Sequence, residues 1–203
     1  MCAWESELWR GALHLTTVRA MISVAPAFFI PVVTSASDLV HDSRFDRTAV
    51  YDALYSKGYQ VQSLNYSQSH LLLPVVHTLM NESKGDWELK TALDVGCSHG
   101  YAVTKLWELG LQASGIDLSN VAIDIARQTR PDEMELRCVA PFPGRNRSCF
   151  QQGSVADLPW ANRSFDLTMS SDVLEHVPPA LTDFAVAEMS RVTRKVSTAG
   201  DYD

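Results

Sequence analysis

The second half of the chain alternates short apolar runs with segments of helical periodicity, and this alternation restricts the fold more than any other feature. The apolar runs cover residues 92–95, 113–116 and 165–169. Runs this short are typical of buried strands, and a helix between two strands is the usual connection when the strands run parallel. The pattern therefore predicts βαβ units and an α/β fold with a parallel sheet.

The first apolar run leads directly into a turn that contains two glycines. Residues 93–100 read Leu-Asp-Val-Gly-Cys-Ser-His-Gly, and a segment of helical periodicity follows. Gly96 and Gly100 allow the backbone to turn sharply and to approach a ligand closely. Gly110 stands where a left-handed cap would end the helix. Glycine turns after strands are common, so this segment alone leaves a small-molecule site and an ordinary turn equally open.

Acidic residues follow the next two predicted strands. Asp117 ends the second strand, and Ser119 is predicted as the N-cap of the helix after it. Asp157, in the segment 152–160, lies just past the end of a third predicted strand, which precedes the apolar run 165–169. In doubly wound folds an acid at the end of the second strand faces the ribose of a bound nucleoside, and a carboxylate can accept a hydrogen bond from the amine of a base. A solvated or helix-capping aspartate fits the same positions.

Taken together, these segments resemble the class I S-adenosylmethionine-dependent methyltransferases, especially the type 11 group related to ubiquinone and menaquinone biosynthesis. Five segments carry the resemblance, in this order: LDVGCSHG, GIDLS, GSVADLPW, SFDLTMSSDVLEHV and AEMSRV. A dinucleotide-binding turn would have a second glycine where this chain has Ser98. The resemblance implies a Rossmann-like, doubly wound sheet of the class I methyltransferase type over residues 91–195.

The resemblance also implies a site for S-adenosylmethionine along the carboxyl edge of that sheet. The residues that would contact this cofactor are Asp94, Gly96 and Gly100 at the methionine end, Asp117 at the ribose with Leu118 beside it, Ala156, Asp157 and Leu158 at the adenine, and Ser171 at the floor near the sulfonium. The methyl acceptor would be a small molecule with an O, N or C nucleophile. Transfer is an in-line displacement, so alignment of the reactants would supply much of the rate.

His176 is the candidate general base, which is needed only if the nucleophile must lose a proton. Asp172, Glu175 and His176 stand at positions i, i+3 and i+4, which would place them on one face if this segment is helical. Some family members bind a divalent metal with a similar run. The ligand set here is incomplete, so we predict no metal, and a structural role for His176 is the alternative.

Residues 38–90 have helical periodicity and form a predicted preamble, which in the resembled family often acts as a lid over cofactor and acceptor. One or two of its aromatic and histidine side chains are expected to touch ligand; the candidates are Tyr51, Tyr55, Tyr59, Tyr66 and His70. Residues 139–147 are predicted as a surface loop. Its two arginines could face an anionic acceptor, although solvated side chains are the simpler expectation.

Residues 1–37 are predicted as an extension, and residues 196–203 as a tail. The apolar run and small residues within 20–37 outline a targeting signal, but Glu5 and Glu7 do not suit a cationic leader. The cytoplasm is therefore the default location, with secretory or organellar targeting left open. The run is too short for a membrane span.

Charge and cysteine content exclude other classes of protein. Lys and Arg total 17 against 24 Asp and Glu, a net charge of -7, which does not favour nucleic acid as a partner. The four cysteines contain no C-x-x-C pair and are interpreted as ordinary thiols. A disulfide between Cys138 and Cys149 is the alternative in an oxidising compartment.

The resembled fold has seven strands, whereas this sequence indicates four, followed by a helix that reaches about Arg191. We therefore expect a truncated or alternative product of a longer methyltransferase, with the last strands missing. An uncovered inner strand is a template for pairing with another chain. The alternative function is accordingly a catalytically inactive cofactor-binding or regulatory partner that docks a protein at the open sheet edge.

Overall fold

The computed structural model describes residues 42–59, 69–83, 88–130, 137–145 and 148–194. All of them belong to the compact unit Thr34–Asp203. The extension 1–37, the tail 196–203, Tyr66 and the side chain of His70 lie outside the described residues, so the predictions made for them stay predictions. Among the described helices, none combines the length and the apolar character that crossing a bilayer requires.

Four parallel strands form the sheet. They are β1 (Thr91–Val95), β2 (Gln112–Asp117), β3 (Phe150–Gln152) and β4 (Leu167–Ser170). Their order in space is β3-β2-β1-β4. The chain builds outward from β1 to β3 and then returns to place β4 on the other side of β1, which makes the edge beside β1 and β4 the topological switch point. The predicted α/β, Rossmann-like doubly wound sheet is confirmed.

In the part of the chain that the structure describes, five α-helices and one short helix accompany the sheet. They are α1 (Thr48–Ser56), α2 (Ser69–Glu82), α3 (Tyr101–Glu108), α4 (Asn120–Thr129), a 3-10 helix (Leu174–His176) and α5 (Pro179–Val192). The Ser119 hydroxyl accepts a hydrogen bond of 3.2 Å from the Ala122 N–H, so Ser119 is the N-cap of α4 as predicted. Gly110 follows α3 with φ of 87°, also as predicted.

The two faces of the sheet carry separate apolar clusters. The first contains residues of α2, α3 and α4 together with Ala92, and the second contains residues of α5 together with Leu93 and Val95. Successive side chains of a strand point to opposite faces, so β1 supplies both clusters. Helices on both faces explain why β1 is buried along its whole length and is apolar apart from Thr91 and Asp94.

Cys138 and Cys149 form a disulfide, with 5.2 Å between their Cα atoms. The interpretation of this pair as ordinary thiols is therefore wrong. The Val139 N–H donates to the Ser114 hydroxyl of β2 at 3.1 Å, and Cys149 directly precedes β3, which pairs with β2. The two cysteines thus meet because both are anchored to β2. Cys97 is a buried free thiol.

Candidate functional site

A cleft of about 400 Å³ opens at the carboxyl ends of the four strands, a volume suited to a cofactor-sized ligand. Residues at or just beyond each strand end line it, namely Val95, Gly96, Ile116, Asp117, Gln152, Gly153 and Ser171. Since parallel α/β sheets bind ligands at this edge, beside the switch point, the cleft is the candidate site of the molecule.

The glycine turn after β1 forms one wall of the cleft. The N–H groups of Gly96 and Cys97 donate to the Ile116 carbonyl at 2.8 and 3.0 Å, which holds the turn against the end of β2. Gly96 has φ of 79°, and a Cβ on it would lie 2.0 Å from Cγ2 of Val173. Only glycine fits both the backbone conformation and the space. Ser98 also has a positive φ, of 50°.

Asp117 lies at the centre of this edge and is 8% exposed. Its Oδ2 accepts from the Ser98 N–H and its Oδ1 from the Ser119 N–H, both at 2.9 Å. Burial raises the pKa of this carboxyl, and the backbone donors act in the opposite direction. A carboxylate can accept about four hydrogen bonds. Each oxygen of Asp117 therefore keeps acceptor capacity for hydroxyl groups of a ligand in the cleft.

Asp94 is buried on β1 and does not line the cleft. Burial, followed by the charge of Asp117, raises its pKa to about 7. Near neutral pH the carboxyl is thus poised between its two forms. A cation bound nearby would favour the ionised form, since an opposite charge stabilises a buried carboxylate.

Helix α1 lies against the same edge and supplies Tyr51 and Tyr55 to the cleft, and Tyr59, which follows the end of this helix, also lines it. The Ser119 hydroxyl donates to Oδ1 of Asp52 at 2.6 Å, and the Val121 N–H donates to the same oxygen at 3.2 Å. Asp52 therefore fixes α1 at the beginning of α4.

Tyr55 adds a second contact of α1, with the glycine turn. It is 6% exposed, and its ring lies edge-on to the His99 ring with 5.1 Å between centroids. Burial is the main cause of the raised pKa of Tyr55. Three of the predicted lid side chains thus reach the cleft, and which of them touches a ligand stays a prediction.

The segment 172–176, which follows β4, is not the continuous helix that would place Asp172, Glu175 and His176 on one face. Asp172 has a left-handed backbone, with φ of 54°, and the 3-10 helix begins only at Leu174. Asp172, Glu175 and His176 therefore do not share one helical face. All three are exposed, and Asp172 and His176 line the cleft. Within the described ranges, no group of three His, Cys, Asp or Glu side chains is arranged to hold a metal ion.

Six of the predicted site residues line the cleft: Gly96, Asp117, Leu118, Asp157, Ser171 and His176. The other four, Asp94, Gly100, Ala156 and Leu158, lie behind it. Gly100 is the N-cap of α3, and a Cβ there would lie 2.4 Å from the Phe150 ring. Ala156 and Leu158 are each 1% exposed.

Sequence reasoning missed Phe45 and Arg47, which precede α1 and line the cleft. No motif marks them, because their position depends on where α1 docks. Arg145 also lines the cleft. The sequence did flag it as one of two loop arginines that could face a ligand, although solvated side chains were the simpler expectation.

Comparison with known proteins agrees with this geometry. A family model described as a methyltransferase domain matches residues 93–198, a range that begins within β1 and includes β2, β3, β4 and the cleft residues that follow the strands. The chain belongs to this family, the type 11 group of class I S-adenosylmethionine-dependent methyltransferases.

Curated relatives match about half of the chain. An uncharacterized methyltransferase of Mycolicibacterium paratuberculosis is 32% identical over 105 residues, which are 52% of this chain and 35% of that protein. A relative from Mycobacterium tuberculosis is 34% identical over 106 residues, 52% of this chain and 35% of that protein. The matched segment thus spans about a third of the relatives' length.

Solved structures share the fold. The PH0226 protein of Pyrococcus horikoshii superposes with a TM-score of 0.51 at 21% identity, over 69% of this chain and 60% of that one. A protein from a study of the conversion of a disulfide into a thioacetal during echinomycin biosynthesis gives a TM-score of 0.51 at 22% identity, over 72% and 56%. At these identities the likeness concerns the fold alone.

Proposed function

We propose that this chain binds S-adenosylmethionine in the cleft and that its protein transfers the methyl group to a small-molecule O, N or C nucleophile. One observation carries the proposal. Asp117 ends β2 inside the cleft, next to the glycine turn, with acceptor capacity left on both carboxylate oxygens. A ribose presents two adjacent hydroxyl donors, which match these two oxygens.

The remaining wall suits the other parts of the cofactor. Leu118 and Val155 offer apolar surface beside Asp157, a combination that fits a base with an exocyclic amine. At the other end, Gly96 exposes backbone, and Asp94 lies buried behind it on β1. A carboxyl there would favour the positively charged methionine end.

Bound S-adenosylmethionine supplies an electrophilic methyl group on a cationic sulfur. The residues of this chain would orient the two reactants in line and exclude water, which can account for much of the acceleration. His176 lines the cleft on an exposed 3-10 helix, where its ring can accept a proton from an acceptor that must lose one. An acceptor that is already nucleophilic would need no such step.

The acceptor side of the cleft favours a small organic molecule. Tyr51 of α1 and Tyr59, just beyond that helix, line the cleft together with Val173, Val177 and Leu181, which follow β4. A mostly apolar and aromatic wall with a few polar groups is typical of small-molecule sites. The net charge of -7 is unfavourable for a polyanionic nucleic acid.

Calorimetric titration of the 203-residue chain with S-adenosylhomocysteine tests the proposal. The Asp117→Asn variant loses an acceptor oxygen and should bind at least tenfold more weakly. Asp124→Asn is the matched control, because the side chain of Asp124 is exposed on α4, and this variant should bind as the parent does. Absence of binding by a chain with a cooperative melt would contradict the proposal, as would equal binding by Asp117→Asn and the parent.

A further inference from the structure

We propose that Glu188 and Arg191 of α5 are positioning residues that hold the adenine side of the cleft in its binding shape, an inference that rests on the proposed function. The two side chains form a bidentate ion pair. Arg191 Nε lies 2.6 Å from Glu188 Oε1, and Nη2 lies 2.7 Å from Oε2. Residues three apart share one face of a helix, so both reach the same loop after β3.

The pair binds the backbone of Leu158 on both sides. The Leu158 N–H donates to Glu188 Oε2 at 2.8 Å, and the Leu158 carbonyl accepts from Arg191 Nη2 at 2.9 Å. Arg191 Nη1 donates further to the Trp160 carbonyl at 2.7 Å. Both peptide groups of Leu158 are therefore fixed by charged partners, which form stronger hydrogen bonds than neutral ones.

We call the Glu188–Arg191 pair, together with the backbone of Leu158 and Trp160 that it binds, the frame. Asp157 is the residue that the frame would position. It directly precedes Leu158, and unlike Leu158 it lines the cleft. The pKa of the Arg191 guanidinium is raised, chiefly by its hydrogen bond with Glu188 and in part by the charge of Asp157. The Asp157 carboxylate thus lies within electrostatic reach of the pair, although neither Glu188 nor Arg191 forms a hydrogen bond with it, so it can contact a ligand.

The frame is rigid because the parts of α5 and of the loop after β3 that carry it pack in the apolar core. Ala185 and Met189 of α5 pack in the second apolar cluster together with Leu158 and Trp160. Neither Glu188 nor Arg191 lines the cleft. Any effect of the pair on a ligand would therefore pass through the backbone of 157–160 and not through direct contact.

This arrangement predicts that the position of Asp157 determines which purine base the cleft prefers. The exocyclic amine of adenine can donate to the Asp157 carboxylate, whereas hypoxanthine has an oxygen at that place, and two acceptors repel each other. Preference for adenine over hypoxanthine depends on where the frame holds Asp157. A residue that only stabilised the fold would not change this preference.

The test compares S-adenosylhomocysteine with S-inosylhomocysteine by calorimetric titration of the full chain. Glu188→Ala and Arg191→Ala should weaken binding of the adenosyl ligand about tenfold or more and remove most of the preference. Glu188→Gln keeps an acceptor oxygen for the Leu158 N–H and should retain most of the preference for the adenosyl ligand. Arg191→Lys replaces the fork with one ammonium, which cannot bind both carbonyls and Glu188 together, so the preference should fall.

Arg194→Ala is the matched control, because Arg194 also makes an ion pair, with Asp166 at 2.8 Å, on a segment beyond α5. It should lower the melting temperature without changing the preference. An unchanged preference in Arg191→Lys, or in the alanine variants that fold, would overturn the positioning role and leave the proposed function intact. A parent chain that binds both ligands equally would also overturn it, whereas one that binds neither would refute the proposed function itself.

Discussion

The carboxylate of Asp52 accepts a hydrogen bond of 2.6 Å from the hydroxyl of Ser119, two residues that are 67 positions apart in the sequence. Ser119 is at once the N-cap of α4 and the second neighbour of Asp117. The contact therefore ties the helix that carries Tyr51 and Tyr55 to the strand end that carries Asp117, the residue proposed to bind the ribose.

Loss of this contact should loosen α1. We expect Asp52→Ala to lower the free energy of unfolding by about 1 to 3 kcal/mol, because it removes hydrogen bonds between a carboxylate and two donors. Binding of S-adenosylhomocysteine should weaken as well. Denaturant titration measures the first effect and calorimetry the second. Lys57→Ala, on an exposed residue just after α1, is the control. Equal stability of the two variants would contradict the role assigned to Asp52.

A pair of glycine substitutions separates backbone strain from crowding in the site. Gly96 and Gly110 have φ of 79° and 87°, so alanine at either position costs about 1 to 3 kcal/mol in strain. Only at Gly96 would the new Cβ meet another side chain, Val173. Gly96→Ala should therefore destabilise the chain more than Gly110→Ala, and Val173→Ala in the same chain should restore part of the loss. Similar melting temperatures for the two single variants would refute the packing argument.

The raised pKa of Asp94 predicts an unusual pH dependence of stability. An unfolded aspartate titrates near 4, whereas Asp94 titrates at about 7 in the fold. The folded state therefore binds its proton more tightly, and the contribution of Asp94 to stability falls between pH 4 and pH 7 and is level above. Asp94→Asn should gain stability relative to the parent as pH rises over this interval. Denaturation curves at pH 4.5, 6 and 7.5 measure the difference, and a constant difference would contradict the burial of the charge.

The sequence predicts those parts of the site that are formed by residues close together in the chain. Asp117 and Ser119 could be assigned because a strand end and a helix start meet within three residues. The Asp52–Ser119 contact could not, because it arises from packing between segments that are distant in the chain. The shared face considered for Asp172 and His176 required a helix, which does not form at Asp172 because this aspartate adopts left-handed backbone, a conformation that aspartate tolerates. Phe45 and Arg47 line the cleft through tertiary placement alone.

The disulfide is a further outcome that spacing left open. Cys138 and Cys149 are 11 residues apart, and a closed loop of this size restricts the unfolded chain by about 3 kcal/mol in the chain-entropy model. Mass spectrometry without reductant should find this pair linked, and reduction should lower the melting temperature. A Cys138→Ser, Cys149→Ser chain that melts at the same temperature as the oxidised parent would show that the bond contributes nothing to stability.

We expect the adenosyl group of the cofactor to bind at the carboxyl ends of β1 and β2, with its ribose on Asp117. A crystal structure of the chain with bound S-adenosylhomocysteine would show this arrangement. Both ribose hydroxyls should lie within hydrogen-bond distance of the Asp117 carboxylate, with the base beside Asp157 and the methionine end at Gly96. A ligand bound elsewhere on the chain, with Asp117 contacted only by Ser98 and Ser119, would contradict this expectation.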